Sequence, residues 1–264
     1  VINYDSVPFV SSVATTLVEE TTATGNGNIT DVGYENATKR GVCYNTTGDP
    51  TVTDSKSEEE GSYGAGTFSR PMTGLIPGTK YYVRAYAYNA QGYGYGDVLT
   101  FTTKPNPPTV LTCTVISSTQ INLTWTKGTG AEKTMVRRKV GSYPTSVTDG
   151  DQAYFGTGSG FNDDELTRIT HYYYRAWSFK TDAPNSGYSD EYSSDDDTTP
   201  AELATVVTNN ATGILQNQAT GNGNITDTGG VDVTTRGFKH ALTKDDLNDV
   251  HETGTYGIGE YSKT

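Results

Sequence analysis

The stretch Tyr81–Asn89, YYVRAYAYN, alternates between two kinds of side chain. One kind is small and apolar: Val83, Ala85 and Ala87. The other kind is large, aromatic or charged: Tyr82, Arg84, Tyr86 and Tyr88. Because successive residues of a β-strand point to opposite faces, this period of two predicts a half-buried strand. We expect the small residues to lie in a core and the large ones to lie on the solvent side.

The flanking residues extend this prediction to a hairpin and to a second module. The glycine-rich segment Gly92–Gly96 predicts a turn, and Val98–Thr102 predicts the returning strand. The same alternation returns in Tyr172–Phe179, YYYRAWSF. In a preceding stretch, Ile121–Trp125, apolar residues again alternate and end in a large aromatic. A tryptophan at that place is most simply a core residue between two packed sheets.

The chain also contains an internal repeat. The seven residues Thr24–Thr30, TGNGNIT, recur at Thr220–Thr226, which is an offset of 220 − 24 = 196 residues. Arg40-Gly41 returns at the same offset as Arg236-Gly237. Repeats at a fixed spacing indicate an array of similar modules. We predict three modules, at residues 1–103, 104–199 and 200–264, joined by short links at Lys104–Pro108 and Ser193–Pro200.

The third module is predicted to be partial, because it contains no counterpart of Met72–Thr103 of the first module. Half of a two-sheet module would present its inner face and an unpaired strand edge. Two explanations remain open at this stage. The sequence is a piece of a longer array, or a neighbouring chain supplies the missing strands.

These motifs resemble fibronectin type III domains. The resemblance rests on Leu75–Tyr81 (LIPGTKY), on Tyr81–Ala85 (YYVRA) and on Ser118–Trp125 (STQINLTW). The first and third modules look like a variant found in bacterial or archaeal surface proteins and in phage structural proteins. The resemblance implies an all-β fold of tandem fibronectin type III-like, immunoglobulin-like β-sandwiches, the last one partial. It also implies that Tyr81 and Tyr172 are tyrosine-corner residues, whose hydroxyl groups bond back to the preceding turn.

Charge and composition exclude several classes of partner. The formal net charge is −12 and the isoelectric point is about 4.6, so the clustered cations that nucleic-acid binding needs are lacking. No window approaches 18 consecutive apolar residues, so we expect no membrane insertion in this segment. Of the two cysteines, Cys43 aligns with Lys239 of the repeat and is predicted to face solvent. Cys113 is predicted to lie on a buried face.

Catalytic signals are weak throughout the sequence. The three histidines are scattered, and none lies in a metal-ligand cluster such as HExxH. No nucleophile-elbow or phosphate-cradling glycine motif occurs between a strand and a helix. The sequence therefore predicts a protein that is not an enzyme.

The outward aromatic residues are the main candidate contact surface. They are Tyr82, Tyr86, Tyr88, Tyr173, Trp177 and Phe179. A soluble monomer rarely displays so much aromatic area. Three interpretations compete: lateral packing against another subunit, cover within the chain by long side chains such as Arg84 and Arg175, and sugar binding by ring stacking.

Acidic runs and glycosylation sequons supply the remaining candidate sites. Calcium is the one cofactor that the sequence suggests, at Asp195, Asp196 and Asp197 in the second link, since this ion prefers carboxylate oxygens. Among the Asn-x-Ser/Thr sequons, Asn36, Asn45 and Asn210 are the preferred glycosylation candidates because they are predicted to lie near turns.

Together these patterns predict a non-enzymatic extracellular element that is structural or adhesive, a subunit of a filament, stalk or surface appendage. Its expected partners are copies of itself, other surface proteins or glycans. Two alternatives remain: a phage tail-fibre or virion-decoration protein, and a carbohydrate-binding accessory region of a secreted enzyme. The expected location is accordingly extracellular, at a cell surface or a virion surface.

Overall fold

The computed structural model describes residues 6–241 and 248–264, and these residues form an all-β protein. They contain twenty β-strands, and their only helical segment is a single 3-10 turn at Asn185–Gly187. The strands belong to separate small sheets and not to one continuous sheet. The predicted fold class, tandem β-sandwiches of fibronectin type III type, is confirmed.

The first module is built from eight strands in two sheets. They are β1 (Phe9–Thr16), β2 (Thr22–Asp31), β3 (Ala37–Asn45), β4 (Ser55–Tyr63), β5 (Gly66–Thr73), β6 (Lys80–Asn89), β7 (Gly92–Tyr95) and β8 (Leu99–Thr102). One sheet has the order β1-β2-β5, and the other has the order β4-β3-β6-β7, with β8 also pairing with β6. All of these pairings are antiparallel.

The small apolar residues of Tyr81–Asn89 lie in the core, as their alternation predicts. Val83, Ala85 and Ala87 of β6 are buried in one apolar cluster with residues of the facing sheet, among them Ile29 and Phe68. The predicted tyrosine corners are also confirmed. The backbone N–H of Ile76 donates to the Tyr81 hydroxyl oxygen at 3.0 Å, and the N–H of Thr167 donates to that of Tyr172 at 2.9 Å. Each corner thereby fixes the turn that precedes a central strand.

The glycines of the repeated TGNGNIT segment allow the two sheets of the first module to pack closely. This segment lies in β2, and Gly27 faces the core. A Cβ atom on Gly27 would lie 2.5 Å from Cζ of Phe68 and 2.6 Å from the Cβ of Ala85. The second copy lies in β17, where a Cβ on Gly221 would lie 2.8 Å from the Phe238 ring.

We therefore expect Gly27→Ala to destabilise the first module by about 1–3 kcal/mol, because one methyl group overfills a packed core. Urea unfolding followed by circular dichroism measures this change. Gly64→Ala is the matched control, since a Cβ there would meet nothing within 4 Å. Equal unfolding midpoints for the two variants would contradict the packing argument.

The second module has seven strands: β9 (Thr109–Ser117), β10 (Gln120–Thr126), β11 (Lys133–Val140), β12 (Asp151–Gly156), β13 (Gly160–Asp163), β14 (His171–Phe179) and β15 (Ser193–Thr198). Its sheets have the orders β13-β10-β9 and β12-β11-β14-β15. Trp125 of β10 is buried and contacts the other sheet twice. Its Nε1–H donates to the Thr134 hydroxyl at 3.1 Å, and its ring lies 5.2 Å from that of Tyr154. The predicted core role of this tryptophan is confirmed.

The described part of the third module contains five strands in two sheets. They are β16 (Thr205–Thr212), β17 (Thr220–Asp227), β18 (Val233–His240), β19 (Asn248–Tyr256) and β20 (Gly259–Lys263), in the orders β16-β17-β20 and β18-β19. The rings of Phe238 and Tyr261 lie 5.2 Å apart between the sheets, and Ile225 is fully buried. The arrangement repeats that of the first module, strand for strand, up to β20.

The described chain separates into two compact units. One takes in the described residues up to Thr112 together with Leu123–Phe161 and Tyr173–Asp195. The other takes in Cys113–Asn122, Asn162–Tyr172 and the described part of Asp196–Thr264. The boundary between the units crosses the second module, and the three module bounds given above stay a prediction.

Two segments form strands where the sequence analysis predicts a turn or a link. Gly92–Tyr95 is strand β7, and the chain reverses before it, between β6 and β7. The cross-strand pairs Tyr86 with Tyr95 and Tyr88 with Tyr93 hold it in the sheet. Ser193–Thr198 is strand β15, so most of the predicted second link belongs to a sheet. In both segments tertiary pairing overrides residue types that favour turns and loops.

Candidate functional site

The outer face of the β4-β3-β6-β7 sheet carries a cluster of four tyrosines. Tyr93 and Tyr95 of β7 lie against Tyr86 and Tyr88 of β6, with ring centroids 4.6 to 6.1 Å apart. The guanidinium group of Arg84 lies 4.4 Å from the centre of the Tyr95 ring. Because β7 is a strand and not a turn, its tyrosines line up beside those of β6 and cover part of this face.

Tyr86 is fully buried, which corrects the prediction that it lies in solvent. It does point away from the core, as the alternation requires, but Tyr93 and Tyr95 lie over it. Its hydroxyl group donates a hydrogen bond of 2.8 Å to Oε2 of Glu58. Burial first, and the Glu58 carboxylate second, raise the pKa of Tyr86 above its ordinary value. Tyr86 is therefore a core residue of a small second core on the outer face.

Trp177 occupies the corresponding place in the second module and is also buried, with 4% of its surface exposed. Its ring lies 5.6 Å from that of Tyr192, and the Arg175 guanidinium group lies 4.0 Å from the centre of the same Tyr192 ring. The prediction that Trp177 faces solvent is therefore wrong for the same reason as at Tyr86. In both modules a tyrosine lies against the outward aromatic residue and an arginine packs on that tyrosine, which agrees with the interpretation of cover within the chain.

The other four aromatic candidates are only half-buried. The Lys80 ammonium group lies 5.6 Å from the centre of the Tyr82 ring, and the Tyr88 ring lies 4.6 Å from that of Tyr93 in a tilted arrangement. In the second module the Tyr173 ring lies 4.9 Å from that of Tyr143. Phe179 packs between Phe155 and Tyr188, at 5.4 and 5.2 Å. These four side chains keep exposed ring surface, so a contact role for them stays a prediction.

The acidic candidates Asp195, Asp196 and Asp197 lie in the edge strand β15, which turns neighbouring carboxylates to opposite faces. Asp196 Oδ2 lies 2.7 Å from Nε2 of His171. Among the described residues no three His, Cys, Asp or Glu side chains form a group that could hold a metal ion. Charged residues on an edge strand hinder pairing with other chains, which is the role this geometry supports. Calcium binding here stays a prediction that calorimetric titration checks.

The three glycosylation candidates differ in how their amide groups are used. Asn36 is exposed, and its side-chain nitrogen donates to the Ser62 hydroxyl at 3.1 Å. Asn45 closes its own turn, because its amide nitrogen donates to the Gly48 carbonyl at 3.0 Å. Asn210 is exposed but lies within strand β16 and not near a turn as predicted. Glycosylation of all three stays a prediction.

Cys43 is buried, whereas the sequence analysis predicts that it faces solvent. It points to the outer face of β3, but the following loop covers it, and its thiol donates to the Pro50 carbonyl at 3.4 Å. Burial, only partly offset by the nearby Arg84, raises the pKa of the thiol to about 12. Cys113, predicted to be buried, is partly exposed.

We therefore expect Cys43 to resist alkylation in the native protein, because the thiolate is the nucleophile and stays scarce at pH 8. Mass spectrometry after iodoacetamide treatment measures the modification. The same treatment in strong denaturant is the control and should modify the residue fully. Equal modification in the native and denatured protein would contradict this burial.

The joint between the first and second modules is tightly packed. We use the name first joint for two sets of contacts. One joins Pro77-Gly78 to the second module, and the other is made by the link Lys104–Pro108. A Cβ on Gly78 would lie 2.2 Å from the carbonyl oxygen of Gly130, and both glycines have positive φ, +60° and +80°. No other residue type adopts such a backbone without strain while allowing this approach. The Gly78 N–H also donates to the Lys104 carbonyl at 2.9 Å.

Lys104 links the two modules through a buried ammonium group. Its Nζ lies 2.6 Å from Oε2 of Glu19 in the first module and 2.5 Å from Oδ2 of Asp190 in the second. Burial lowers the pKa of this ammonium group, but the hydrogen bonds to the two carboxylates outweigh it, so the pKa is raised. The side chain is only 9% exposed. The segment Lys104–Pro108, predicted as a short link, thus also contributes an ionic bridge between the two modules.

A second joint connects the second and third modules. We use this name for the contacts of Ser118 and Arg168-Ile169 with the third module. Arg168 forms a two-pronged hydrogen bond to Asp227, at 3.0 and 2.7 Å, and Glu202 lies 3.6 Å away. The Ser118 hydroxyl donates to Glu202. From the sequence, Arg168 stands where the first module has Pro77, and nothing in the sequence indicates its ionic partner.

Comparison with known proteins adds a fold-level similarity only. No protein-family model and no curated protein matches the chain. Among solved structures it is similar to a two-domain fibronectin type III segment of chicken tenascin, with 16% identity and a TM-score of 0.45, covering 72% of this chain and 99% of that one. It is also similar to the FN1–FN3 domains of chicken CNTN1, with 17% identity and a TM-score of 0.32, covering 73% and 65%. The chain thus spans just under two thirds of the CNTN1 segment.

By its own topology the chain is a tandem of fibronectin type III-like β-sandwiches. Within the described residues, no helix has the length and apolar character needed to cross a bilayer. The features that distinguish this chain are its outward aromatic residues and its joints, since the fold by itself does not determine a function.

Proposed function

We propose that the chain is a non-enzymatic, extracellular structural or adhesive element, part of a filament, stalk or surface appendage built from repeated β-sandwich modules. In this role the chain holds successive modules in a defined relative orientation, and the sides of the modules contact other proteins. The partners are further copies of the chain or other surface proteins.

The single observation that carries this proposal is the first joint. A flexible string of domains needs only a polar linker between them. Here Gly78 and Gly130 meet backbone to backbone, and Lys104 is buried between carboxylates of both modules. Contacts of this kind restrict motion between modules, which is useful in a spacer and unnecessary in a loose tether.

The half-buried aromatic residues support a contact role for the sides of the modules. Tyr82, Tyr88 and Tyr173 keep exposed ring area next to rings or cations of their own module. Aromatic rings that are already ordered lose little conformational freedom on binding, which favours them at protein interfaces.

Electron micrographs of the native material test the proposal most directly. Ordered polymers built from this chain would support it, and co-purification with capsids would favour the virion alternative. At residue level, the triple variant Tyr82→Ser, Tyr88→Ser, Tyr173→Ser should lose assembly while staying folded. Tyr34→Ser, at a tyrosine that is 54% exposed elsewhere on the first module, is the matched control. Unchanged assembly together with lost retention on a glycan array would replace subunit packing with sugar binding.

A further inference from the structure

The two joints are formed at equivalent places of their modules. In the first module the corner between the buried Leu75 and Tyr81 contains Pro77-Gly78, and in the second the corner between Leu166 and Tyr172 contains Arg168-Ile169. Each corner contacts the module that follows it. The tyrosine corner thus has a second use in this chain: it presents two residues to the next module. The two pairs of residues are chemically different.

The first joint is held mainly by backbone contacts and by a buried charge. A Cβ on Gly130 would lie 2.2 Å from the Pro77 carbonyl oxygen, so the two main chains touch. The Asn106 N–H donates to the Thr129 carbonyl at 3.0 Å, which adds a main-chain hydrogen bond. Lys104, with 9% of its side chain exposed, makes the ionic link.

The second joint is held by side chains that solvent reaches. The side chains of Arg168 and Asp227 are 31% and 40% exposed, and that of Glu202 is 52% exposed. An apolar contact accompanies these charges: Cδ1 of Ile169 lies against Gly230, 2.6 Å from where a Cβ would stand. Ser118 adds its hydrogen bond to Glu202. The ion pairs between the second and third modules therefore involve three residues, Arg168, Asp227 and Glu202.

Dissolved salt acts differently on these two arrangements. At an ionic strength of about 1 M, charges are screened beyond about 3 Å, and exposed pairs lose most of their attraction. Partly buried pairs are screened much less, and backbone packing between glycines does not depend on charge. A rise in ionic strength should therefore weaken the second joint and leave the first nearly unchanged.

We propose that the second joint is an ionic hinge, which is ordered at low ionic strength and loosened by salt, whereas the first joint is fixed. The geometry assigns the difference to one position, Arg168, where the first module carries Pro77. The hinge is a property of these residues, and it holds whether the chain serves in a filament, on a virion or elsewhere.

The test uses the full chain with fluorophore pairs on exposed residues, attached through unnatural amino acids. One pair, at Thr114 and Thr234, spans the second joint, and the other, at Thr67 and Thr148, spans the first. Single-molecule energy transfer then gives the distance distribution of each pair. We expect the second distribution to broaden as sodium chloride rises from about 0.05 to about 1 M, and the first to stay narrow.

Variants identify the residue responsible. Arg168→Ala should broaden the distance distribution across the second joint at every salt concentration. Arg168→Lys keeps the charge but cannot form the two-pronged hydrogen bond to Asp227, so it should give an intermediate width. Lys39→Ala is the control, because it removes an exposed ion pair on β3 of the first module, with Glu60 at 2.6 Å, away from both joints. Circular dichroism confirms that each variant is folded. The proposal would be overturned if the distance distribution across the second joint changed neither with salt nor with Arg168→Ala. Equal broadening of the distributions across both joints would also overturn it.

Discussion

Tyr86→Ser is expected to destabilise the first module rather than to remove an external contact, with a loss of about 3–5 kcal/mol in the free energy of unfolding. The ring is fully buried among Tyr93, Tyr95 and the strand beneath, so its removal leaves a cavity. The variant also deprives Glu58 of the hydrogen bond from the Tyr86 hydroxyl group. Chemical unfolding followed by circular dichroism measures the loss.

Tyr82→Ser is the control for this experiment. Tyr82 lies on the same strand and the same face but is only half-buried, so the loss of stability should be much smaller. Tyr86→Phe separates the ring from its hydroxyl group and should cost about 1.5–3 kcal/mol through the bond to a charged acceptor. If Tyr86→Ser kept the stability of the native protein and lost assembly instead, Tyr86 would be a contact residue after all.

The second large effect is expected at Trp125, where Trp125→Ala should destabilise the second module by about 3–5 kcal/mol. This side chain joins the two sheets of the module through Thr134 and Tyr154, and only 5% of it is exposed. The chain has two tryptophans, both in the second module, so the fluorescence of Trp177 reports unfolding of this module in the variant.

Thr124→Ala, at the exposed neighbouring position, is the matched control and should leave the unfolding transition in place. Trp125→Phe should fall between the two, because it keeps an aromatic ring but leaves Thr134 without its donor. A transition for Trp125→Ala that coincides with that of Thr124→Ala would show that the two sheets do not depend on this contact.

Much of the fold follows from local sequence patterns. The alternation in Tyr81–Asn89 decides which side chains enter the core, because a strand has only two faces. The tyrosine corners depend on a leucine and a tyrosine at fixed spacing in one short segment. The repeat of TGNGNIT predicts two equivalent strands, and both copies lie at the centre of a three-stranded sheet. These features need only contacts between residues close in sequence, or one buried face.

The errors in the site prediction share one cause. Alternation predicts that Tyr86 and Trp177 face outward, and alignment with Lys239 predicts the same for Cys43. In each case the outward direction is taken to mean contact with solvent. The outward direction is right for all three, but other segments cover them: β7 over Tyr86, Tyr192 over Trp177 and the Pro50 loop over Cys43. The missed signal at Tyr86 is the alternation of Tyr93 and Tyr95, which the glycines of that segment concealed.

Read alone, the sequence determined the class of structure, the strands, the inward residues and the presence of repeated modules, because these depend on periodicity and on nearby residues. Only the tertiary structure decided which outward aromatic residues remain accessible and how the modules are joined. Exposure depends on covering contacts such as that of Tyr192 with Trp177, and the joints depend on pairs such as Lys104 with Asp190. The partners in such contacts lie apart along the chain and follow no periodic pattern.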